Sequence, residues 1–108
     1  MEVLDESLVP DIDDFISVAE AMKALADATR IRIFWLLCHK EMTGAEIAGA
    51  LNLSAPNVSH HLKALSMSGL ATSRRDKKEV RYRIKDSRLS ALLHKTIEEL
   101  LEIKCPLC

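Results

Sequence analysis

Three cysteine thiols are the side chains of this sequence with the widest chemical range. Cys105 and Cys108 form a C-x-x-C pair, while Cys38 lies in an apolar stretch far from them in the chain. Two such thiols can chelate a soft ion or close into a disulfide. An odd count argues against a structural disulfide framework and leaves metal binding, redox sensing or burial. Taken alone, Cys38 fits a buried, small apolar side chain.

A second group of polar side chains lies in the segment LSAPNVSHHLKAL, residues 53–65. Apolar residues recur along it at the spacing of one helix face: Val58, Leu62 and Leu65. The other positions carry groups that form hydrogen bonds, namely Ser54, Asn57, Ser59, His60 and Lys63. Because neighbouring side chains point about 100° apart on a helix, His60 and His61 do not form a chelating pair. We expect one of them to be an exposed contact residue and the other to pack.

A strongly basic segment follows this predicted helix. Residues 63–88 contain nine lysines and arginines against three acids, whereas residues 1–20 contain seven acids and no base. A local surplus of positive charge suits a polyanion such as DNA, although basic runs also occur on solvated surfaces. Val80, Tyr82 and Ile84 alternate with Arg81, Arg83 and Lys85. This alternation predicts a β-hairpin with one basic face and a basic tip at residues 76–78.

The remaining elements are predicted from apolar spacing and from capping residues. We expect helices over residues 12–26, 28–40, 44–51, 54–68 and 87–104. Asp27, the T-x-x-E box of Thr43 and Glu46, and Ser54 followed by Pro56 are signals for helix N-termini. The predicted domain is therefore residues 12–104, between a flexible acidic N-terminus (residues 1–11) and a Cys-x-x-Cys tail (residues 105–108).

Composition limits the class of protein. The length suits one domain, and with aromatic residues at only 4% most burial must come from long apolar helices, which favours a dimer with a shared core. We find no stretch near the roughly 18 apolar residues of a membrane span and no signal peptide, and therefore predict a cytoplasmic protein without a membrane partner. With three glycines, no phosphate-binding loop, no paired-carboxylate pocket and no nucleophile elbow, an enzyme with a catalytic cofactor is not expected.

The order of the elements predicts a mainly helical winged helix-turn-helix with a β-hairpin wing. The helix that begins after Ser54 takes the recognition position, where its N-terminal turns enter the major groove of double-stranded DNA. The hairpin then lies along the phosphates. The predicted DNA-binding residues are Ser54, Asn57, Ser59, His60 and Lys63 of the helix and Arg74, Arg75, Lys77 and Lys78 of the wing.

Four segments in this order resemble the ArsR/SmtB family of metal- and stress-sensing repressors: ALADATRIRI, the T-x-x-E helix, LSAPNVSHHLKALSMSGL and RRDKKEVRYRI. The resemblance spans roughly residues 19–103. It implies a homodimer that forms through the first and last helices, and a repressor that leaves an imperfectly palindromic operator when an inducer binds. It places the family's DNA-contacting positions on Ser59 and His60, and also on Ala55 and Pro56, where relatives often have polar residues.

Two metal sites of the family lack their usual ligands here. The C-x-C motif of the short helix is replaced by MTGAEIA, which contains no thiol. The second site, at the ends of the last helix, corresponds to Asp86, Arg88, Glu99 and Glu102, and a guanidinium does not ligate a metal. Our hypothesis is that Arg88 pairs with the partner's Glu99 or the partner's Glu102 in place of zinc.

Three inducer models follow, in order of preference. In the first, Cys38, Cys105 and Cys108 form a three-thiolate site for arsenite, antimonite or a soft metal ion such as Cd²⁺ or Pb²⁺. In the second, Cys38 and Cys105 form a dithiol switch for persulfide or oxidants, as the resemblance to relatives with a similar cysteine pair implies. In the third, the thiols are incidental and the protein senses an organic ligand or no ligand. A winged-helix module that binds protein is a further alternative to the DNA-binding repressor.

Overall fold

The computed structural model describes residues 5–103. A single 3-10 turn at Glu6–Leu8 comes before five helices and three strands. In chain order these are α1 (Ile12–Ala24), α2 (Ala28–His39), β1 (Met42–Thr43), α3 (Gly44–Leu51), α4 (Ala55–Met67), β2 (Ala71–Asp76), β3 (Glu79–Ile84) and α5 (Arg88–Leu101). Within residues 5–103, no helix has both the length and the apolar character that crossing a bilayer requires.

The predicted helix N-termini form as the capping residues indicate. Asp27, Thr43 and Ser54 each accept a hydrogen bond from the backbone amide three residues later, at 2.9, 3.1 and 3.2 Å. The amide of Thr43 in turn donates to the carboxylate of Glu46 at 3.1 Å, which completes the capping box. Pro56 lies in the first turn of α4, where its missing N–H leaves no helix hydrogen bond unmade.

The turn between α3 and α4 sets the angle of the helix-turn-helix. Asn52 ends α3 in the left-handed conformation, with φ at 55°. Asparagine adopts this conformation more readily than most residues, and it allows the amide of Leu53 to donate to the carbonyl of Ala48 at 3.0 Å. The chain then enters α4 directly at its cap, so the predicted tight turn is confirmed.

The sheet has three antiparallel strands in the order β1-β3-β2. β2 and β3 form the predicted hairpin, with Ser73 opposite Tyr82 and a two-residue turn at Lys77 and Lys78. β1 was not expected from the sequence. It has only two residues, and Met42 pairs with Tyr82, so this pairing anchors the base of the hairpin to the start of α3.

The core lies where α2, α3 and α4 meet. Its largest fully buried side chains are Ile33, Phe34, Ile47, Val58, Leu65 and Leu70. The helices at the two ends of the domain contribute little to it: α1 buries only Ala24, and α5 buries only Ser90 and Ile97.

Both outer helices are shorter than the sequence predicts. α1 ends at Ala24 instead of residue 26, and α5 ends at Leu101 instead of residue 104. At the end of α5, Glu102 takes the left-handed conformation with φ at 56°, and the amide of Ile103 turns back to the carbonyl of Glu98 at 3.1 Å. The carbonyls of Glu98 and Glu99 are satisfied in this way and α5 ends, while Pro106, the predicted stop signal, lies outside the described residues.

An apolar stripe on each outer helix remains exposed in the single chain. On α1 it consists of Ile12, Phe15, Ile16, Val18 and Met22, and on α5 of Leu89, Leu92, Leu100 and Leu101. Exposed apolar area of this extent on two helices is typical of a surface that another protein covers.

Candidate nucleic-acid interface

α4 has one buried face and one exposed polar face. The buried face consists of Val58, His61, Leu62 and Leu65. The five polar residues predicted to contact DNA are all exposed: Ser54, Asn57, Ser59, His60 and Lys63. The first turn of α4 contains no acidic residue, so the positive end of the helix dipole is open to an anion.

His61 fixes α4 to the junction of α1 and α2. Its side chain is buried, at 5% exposure, whereas His60 is exposed, as expected for this pair. The Nε of Arg30 donates to Nδ1 of His61 at 3.2 Å, and Nη1 of the same arginine donates to the carbonyl of Ala24 at 3.1 Å. The other ring nitrogen of His61 lies 3.8 Å from Oδ1 of Asp27. His61 is therefore neutral in this arrangement, because Nδ1 accepts a hydrogen bond.

The surroundings of His61 disfavour its protonation. Burial lowers its pKa below the ordinary value of 6.5, the charges of Arg30 and His60 lower it further, and the carboxylate of Asp27 opposes them. The pKa of Asp27 is also lowered, chiefly by the hydrogen bond from the backbone amide of Arg30. The two groups affect stability in different pH ranges, because their ordinary pKa values are 6.5 and 3.8.

We expect the free energy of unfolding to decrease as the pH falls below about 6.5. The unfolded chain binds a proton at His61 there, while the folded chain resists it, so the stabilisation is complete above that pH and declines below it. Asp27 contributes to this decline only as the pH falls below its ordinary value of 3.8. Urea unfolding at pH 7.5, 6.5 and 5.5 measures the slope, which should flatten in His61→Gln and persist in His60→Gln. Equal slopes in both variants would contradict this role for His61.

The wing carries positive charges of two kinds. Arg75, Lys77 and Lys78 are exposed and form no ion pair within residues 5–103. Arg74, in contrast, donates to the carboxylate of Glu41 through both Nε and Nη2, at 2.6 to 3.1 Å. The side chain of Arg74 is still 55% exposed, so a competing anion has access to it.

The predicted basic face of the hairpin also carries acidic side chains. Arg74 and Arg81 face each other across the two strands, but Arg81 contacts carboxylates from three residues at 3.4 to 3.5 Å: Glu46, Asp76 and Glu79. This face is thus a mixed network of charges. Because side chains alternate along a strand, Arg75 lies on the opposite face, next to Val80. Within residues 5–103, the exposed positive charges of this region that form no ion pair lie at the tip, on Arg75, and on Arg83 and Lys85.

A cavity of about 380 Å³ lies between the recognition helix and the wing. Ala55 and Ser59 of α4 form one wall, and Val80 and Tyr82 of β3 form another. The exposed polar face of α4 and the tip of the wing therefore lie on the same side of the domain, with a groove between them.

The structure places one of the three predicted thiols. Cys38 is half-buried on α2 and lines a cavity of about 270 Å³ together with His94 and the connection from β3 to α5. Burial raises the pKa of the Cys38 thiol to about 12, and the charge of Glu98 adds to this effect. Cys38 is therefore a neutral thiol in the folded chain, and Cys105 and Cys108 lie outside the described residues.

Sequence reasoning missed a cluster of possible metal ligands formed by His39, His94 and Glu98. His94 and Glu98 are four residues apart, which places them on one side of α5 and is a signal that the sequence does contain. His39 joins them only because the end of α2 packs against α5. Sequence reasoning also missed the hydrogen bond from Arg30 to His61, which links residues 31 positions apart.

Comparison with known proteins agrees with this geometry. The sequence model of bacterial regulatory proteins of the arsR family matches residues 27–73, from the cap of α2 into β2. The transcriptional regulator KmtR of Mycobacterium tuberculosis is 38% identical over 85 residues, which cover 79% of this chain and 65% of KmtR. The chain thus spans less than two thirds of that relative. A cadmium resistance transcriptional regulatory protein of Staphylococcus aureus, a CadC homolog, is 32% identical over 89 residues, or 82% of this chain and 74% of the relative.

Solved structures share the whole arrangement of helices and wing. The homodimeric winged helix-turn-helix DNA-binding domain Mb0332 of Mycobacterium bovis superposes with a TM-score of 0.76 at 27% identity, covering 94% of this chain and 91% of that domain. The predicted winged helix-turn-helix is confirmed, and the relatives are transcriptional regulators, not enzymes. With the helix-turn-helix, the wing and relatives matched over most of its length, this chain belongs to the arsR family of bacterial regulatory proteins.

Proposed function

We propose that the protein is a homodimeric transcriptional repressor that binds operator DNA through α4 and the wing and is released by a thiol-seeking inducer. The observation that carries this proposal is the division of α4 into a buried apolar face and a polar face that is exposed along its N-terminal half. The exposed tip of a basic hairpin lies across a groove from that face.

The exposed side chains divide by chemistry into two roles. Asn57, Ser59 and His60 present hydrogen-bonding groups near the start of α4, and we assign to them the contacts with base edges in the major groove. We assign the phosphate contacts to Ser54 and Lys63 of the helix and to the wing residues Arg74, Arg75, Lys77 and Lys78. Ala55 and Pro56 offer no polar side chain, so the first turn contacts phosphate through its backbone amides and dipole.

The dimer forms through the exposed apolar stripes of α1 and α5. Each stripe contains side chains that a stable small domain would bury, and the similar Mb0332 domain is a homodimer. Two copies related by a twofold axis present two recognition helices to successive major grooves, which matches an operator with two half-sites.

The inducer is proposed to be a soft metal ion or metalloid, such as Cd²⁺ or arsenite, bound by Cys38, Cys105 and Cys108. A relative is named for cadmium resistance, and the cavity beside Cys38 gives an incoming ion room next to that thiol. Because Cys38 is protonated in the folded chain, binding there releases a proton.

Operator titration tests the proposal with the reduced, metal-free protein and its upstream DNA. We expect tight binding that weakens steeply between 50 and 200 mM salt, by about 10³-fold or more if six or more phosphates are contacted. Binding that is insensitive to salt, or absent, would instead favour a winged-helix module that binds protein.

The inducer is tested by adding arsenite, Cd²⁺ or a persulfide donor separately to the complex. Release by arsenite or Cd²⁺ that disappears in Cys105→Ser/Cys108→Ser supports the thiol site. Release only by the persulfide donor, with a Cys38–Cys105 crosslink in the mass spectrum, supports the dithiol switch, in which two thiols lose two protons and two electrons to the donor. Release by none of them contradicts both.

A further inference from the structure

His39, His94 and Glu98 converge where the end of α2 packs against the middle of α5. All three are half-buried, and one ligand atom from each lies within 4.8 Å of the other two. Two imidazoles and a carboxylate are a ligand set that divalent transition metals bind, with further positions left for water or another ligand. The cluster belongs to a single chain, unlike the site between protomers considered for Asp86, Arg88, Glu99 and Glu102.

We propose that these three side chains form a binding site for a divalent transition-metal ion of the Zn²⁺ type. Imidazole ligands suit Zn²⁺, Co²⁺ and Ni²⁺ and do not suit Ca²⁺ or Mg²⁺, which prefer oxygen. The site is chemically distinct from the proposed thiol site, which suits softer ions. Metal binding here does not depend on the proposed repressor function, and only its effect on DNA binding rests on that function.

Neighbouring groups orient two of the ligands. Nδ1 of His39 lies 2.7 Å from the carbonyl oxygen of Trp35, and since a carbonyl only accepts, this nitrogen donates. In a neutral imidazole this tautomer places the lone pair on Nε2, the atom that would ligate a metal. Nε1 of Trp35 also donates to Oε2 of Glu98 at 3.3 Å, which orients the carboxylate. Metal-bound histidines and carboxylates are commonly held by such outer hydrogen bonds.

The third ligand contains a buried nitrogen without a hydrogen bond. Nε2 of His94 is shielded from solvent and has no hydrogen-bond partner within residues 5–103. It lies 3.2 Å from Oε2 of Glu98, but this contact lacks the alignment of a hydrogen bond. A buried polar atom in this state is uncommon in proteins, and a cation between the two atoms would satisfy both.

The spacing of the ligands fits a small ion. Bonds of about 2.0–2.1 Å in a tetrahedral site place ligand atoms about 3.3 Å apart. The separation of 3.2 Å between His94 and Glu98 already meets this value. His39 approaches from the other helix, with its ring centroid 4.8 Å from that of His94, and its ligand atom lies within 4.8 Å of those of His94 and Glu98. An ion bound here would link α2, which packs against the recognition helix α4, to α5 of the proposed dimer interface.

Trp35 provides a reporter for this site, because it is the only tryptophan in the chain and its ring lies 4.3 Å from that of His39. Co²⁺, an open-shell ion, quenches tryptophan fluorescence at short range. The full chain with Cys105→Ser and Cys108→Ser removes the tail thiols as competing ligands. We expect Co²⁺ to quench Trp35 with one ion per chain, and Zn²⁺ to displace it and restore the fluorescence.

Ligand variants decide whether the quenching comes from this site. His94→Gln, Glu98→Gln and His39→Gln are each expected to lower the affinity for Co²⁺ by at least about tenfold, since even outer-shell changes cost 10–100-fold. Lys95→Gln changes an exposed charged side chain next to His94 on α5 and should bind Co²⁺ as the parent does. Circular dichroism identifies any of the three ligand variants that fails to fold. The affinities of the remaining folded variants for Co²⁺ are then compared with that of the control.

Failure of this proposal is distinguishable from failure of the repressor function. Absence of Co²⁺ binding, or equal affinity in the folded ligand variants and Lys95→Gln, would overturn the metal site whatever the protein does on DNA. Metal-free His94→Gln should bind operator DNA as the parent does, since His94 is remote from α4. If Zn²⁺ binds but the protein never binds DNA, the site stands and the repressor function does not.

Discussion

Replacing Leu92 with glutamate is expected to convert the dimer into a monomer and to lower operator affinity by about 10³-fold or more. Leu92 is 51% exposed in the single chain and belongs to the apolar stripe of α5. Burying a leucine in an interface contributes about 1.5–3 kcal/mol, and an unpaired carboxylate there costs more than that gain. A monomer reads only one half-site, so its affinity falls from the specific range, about 10⁻⁸–10⁻¹¹ M, towards the non-specific range, about 10⁻⁴–10⁻⁶ M.

Sedimentation of the 12.1 kDa chain measures its oligomeric state, and fluorescence anisotropy with labelled operator measures affinity. Met67→Glu is the matched control, because Met67 is 79% exposed but lies at the end of α4, away from α1 and α5. It should leave the mass of the dimer unchanged. Since Leu92 is outside the core, the variant should keep its helical content, and a Leu92→Glu protein that remains a dimer would exclude this part of α5 from the interface.

Removing two proposed base contacts together, in Ser59→Ala/His60→Ala, is expected to lower operator affinity by about 10²–10⁴-fold. Each good contact to a base edge contributes about 1–3 kcal/mol of discrimination. Both side chains are exposed, so the fold should be unaffected. Affinity for unrelated DNA should change little, because the phosphate contacts remain. The measurement is anisotropy with operator and with scrambled DNA of the same length.

Lys77→Ala/Lys78→Ala is the matched comparison in the wing. These exposed lysines are assigned to phosphates, so their loss should weaken binding to both DNAs alike. The slope of log affinity against log salt should decrease by about 0.9 for each lost contact. If the α4 variant weakened both DNAs equally, α4 would contact only the backbone. If the wing variant changed operator binding alone, the roles of helix and wing would be reversed.

The helix-turn-helix was predictable because its signals are local in sequence. Thr43 and Glu46 are three residues apart, and Ser54 caps the helix that follows it, so each helix start is encoded within one turn. The alternation from Val80 to Lys85 likewise lies within a single strand. The polar face of α4 was predictable for the same reason, since helix periodicity separates Val58 and Leu62 from Ser59 and His60.

Three of the features that were missed depend on pairs of residues far apart in the chain. β1 has two residues, too few for any alternation, and exists only because Met42 pairs with Tyr82. The ion pair of Arg74 with Glu41 links positions 33 residues apart, and no local pattern shows that a basic strand will lie beside that carboxylate. His39 and His94 meet only through the packing of α2 on α5.

The pairing of Arg74 with Glu41 has a consequence for how DNA affinity responds to salt. The carboxylate of Glu41 already accepts hydrogen bonds from the guanidinium of Arg74, as a phosphate would. The hydrogen bond from Arg74 lowers the pKa of Glu41, so the pair is charged at neutral pH. In the proposed complex, a DNA phosphate would replace Glu41 beside Arg74, so one anion would be exchanged for another, and the freed carboxylate would take up a cation from solution. This uptake offsets one of the cations released from DNA. The slope of log affinity against log salt will therefore indicate fewer phosphate contacts than the wing makes.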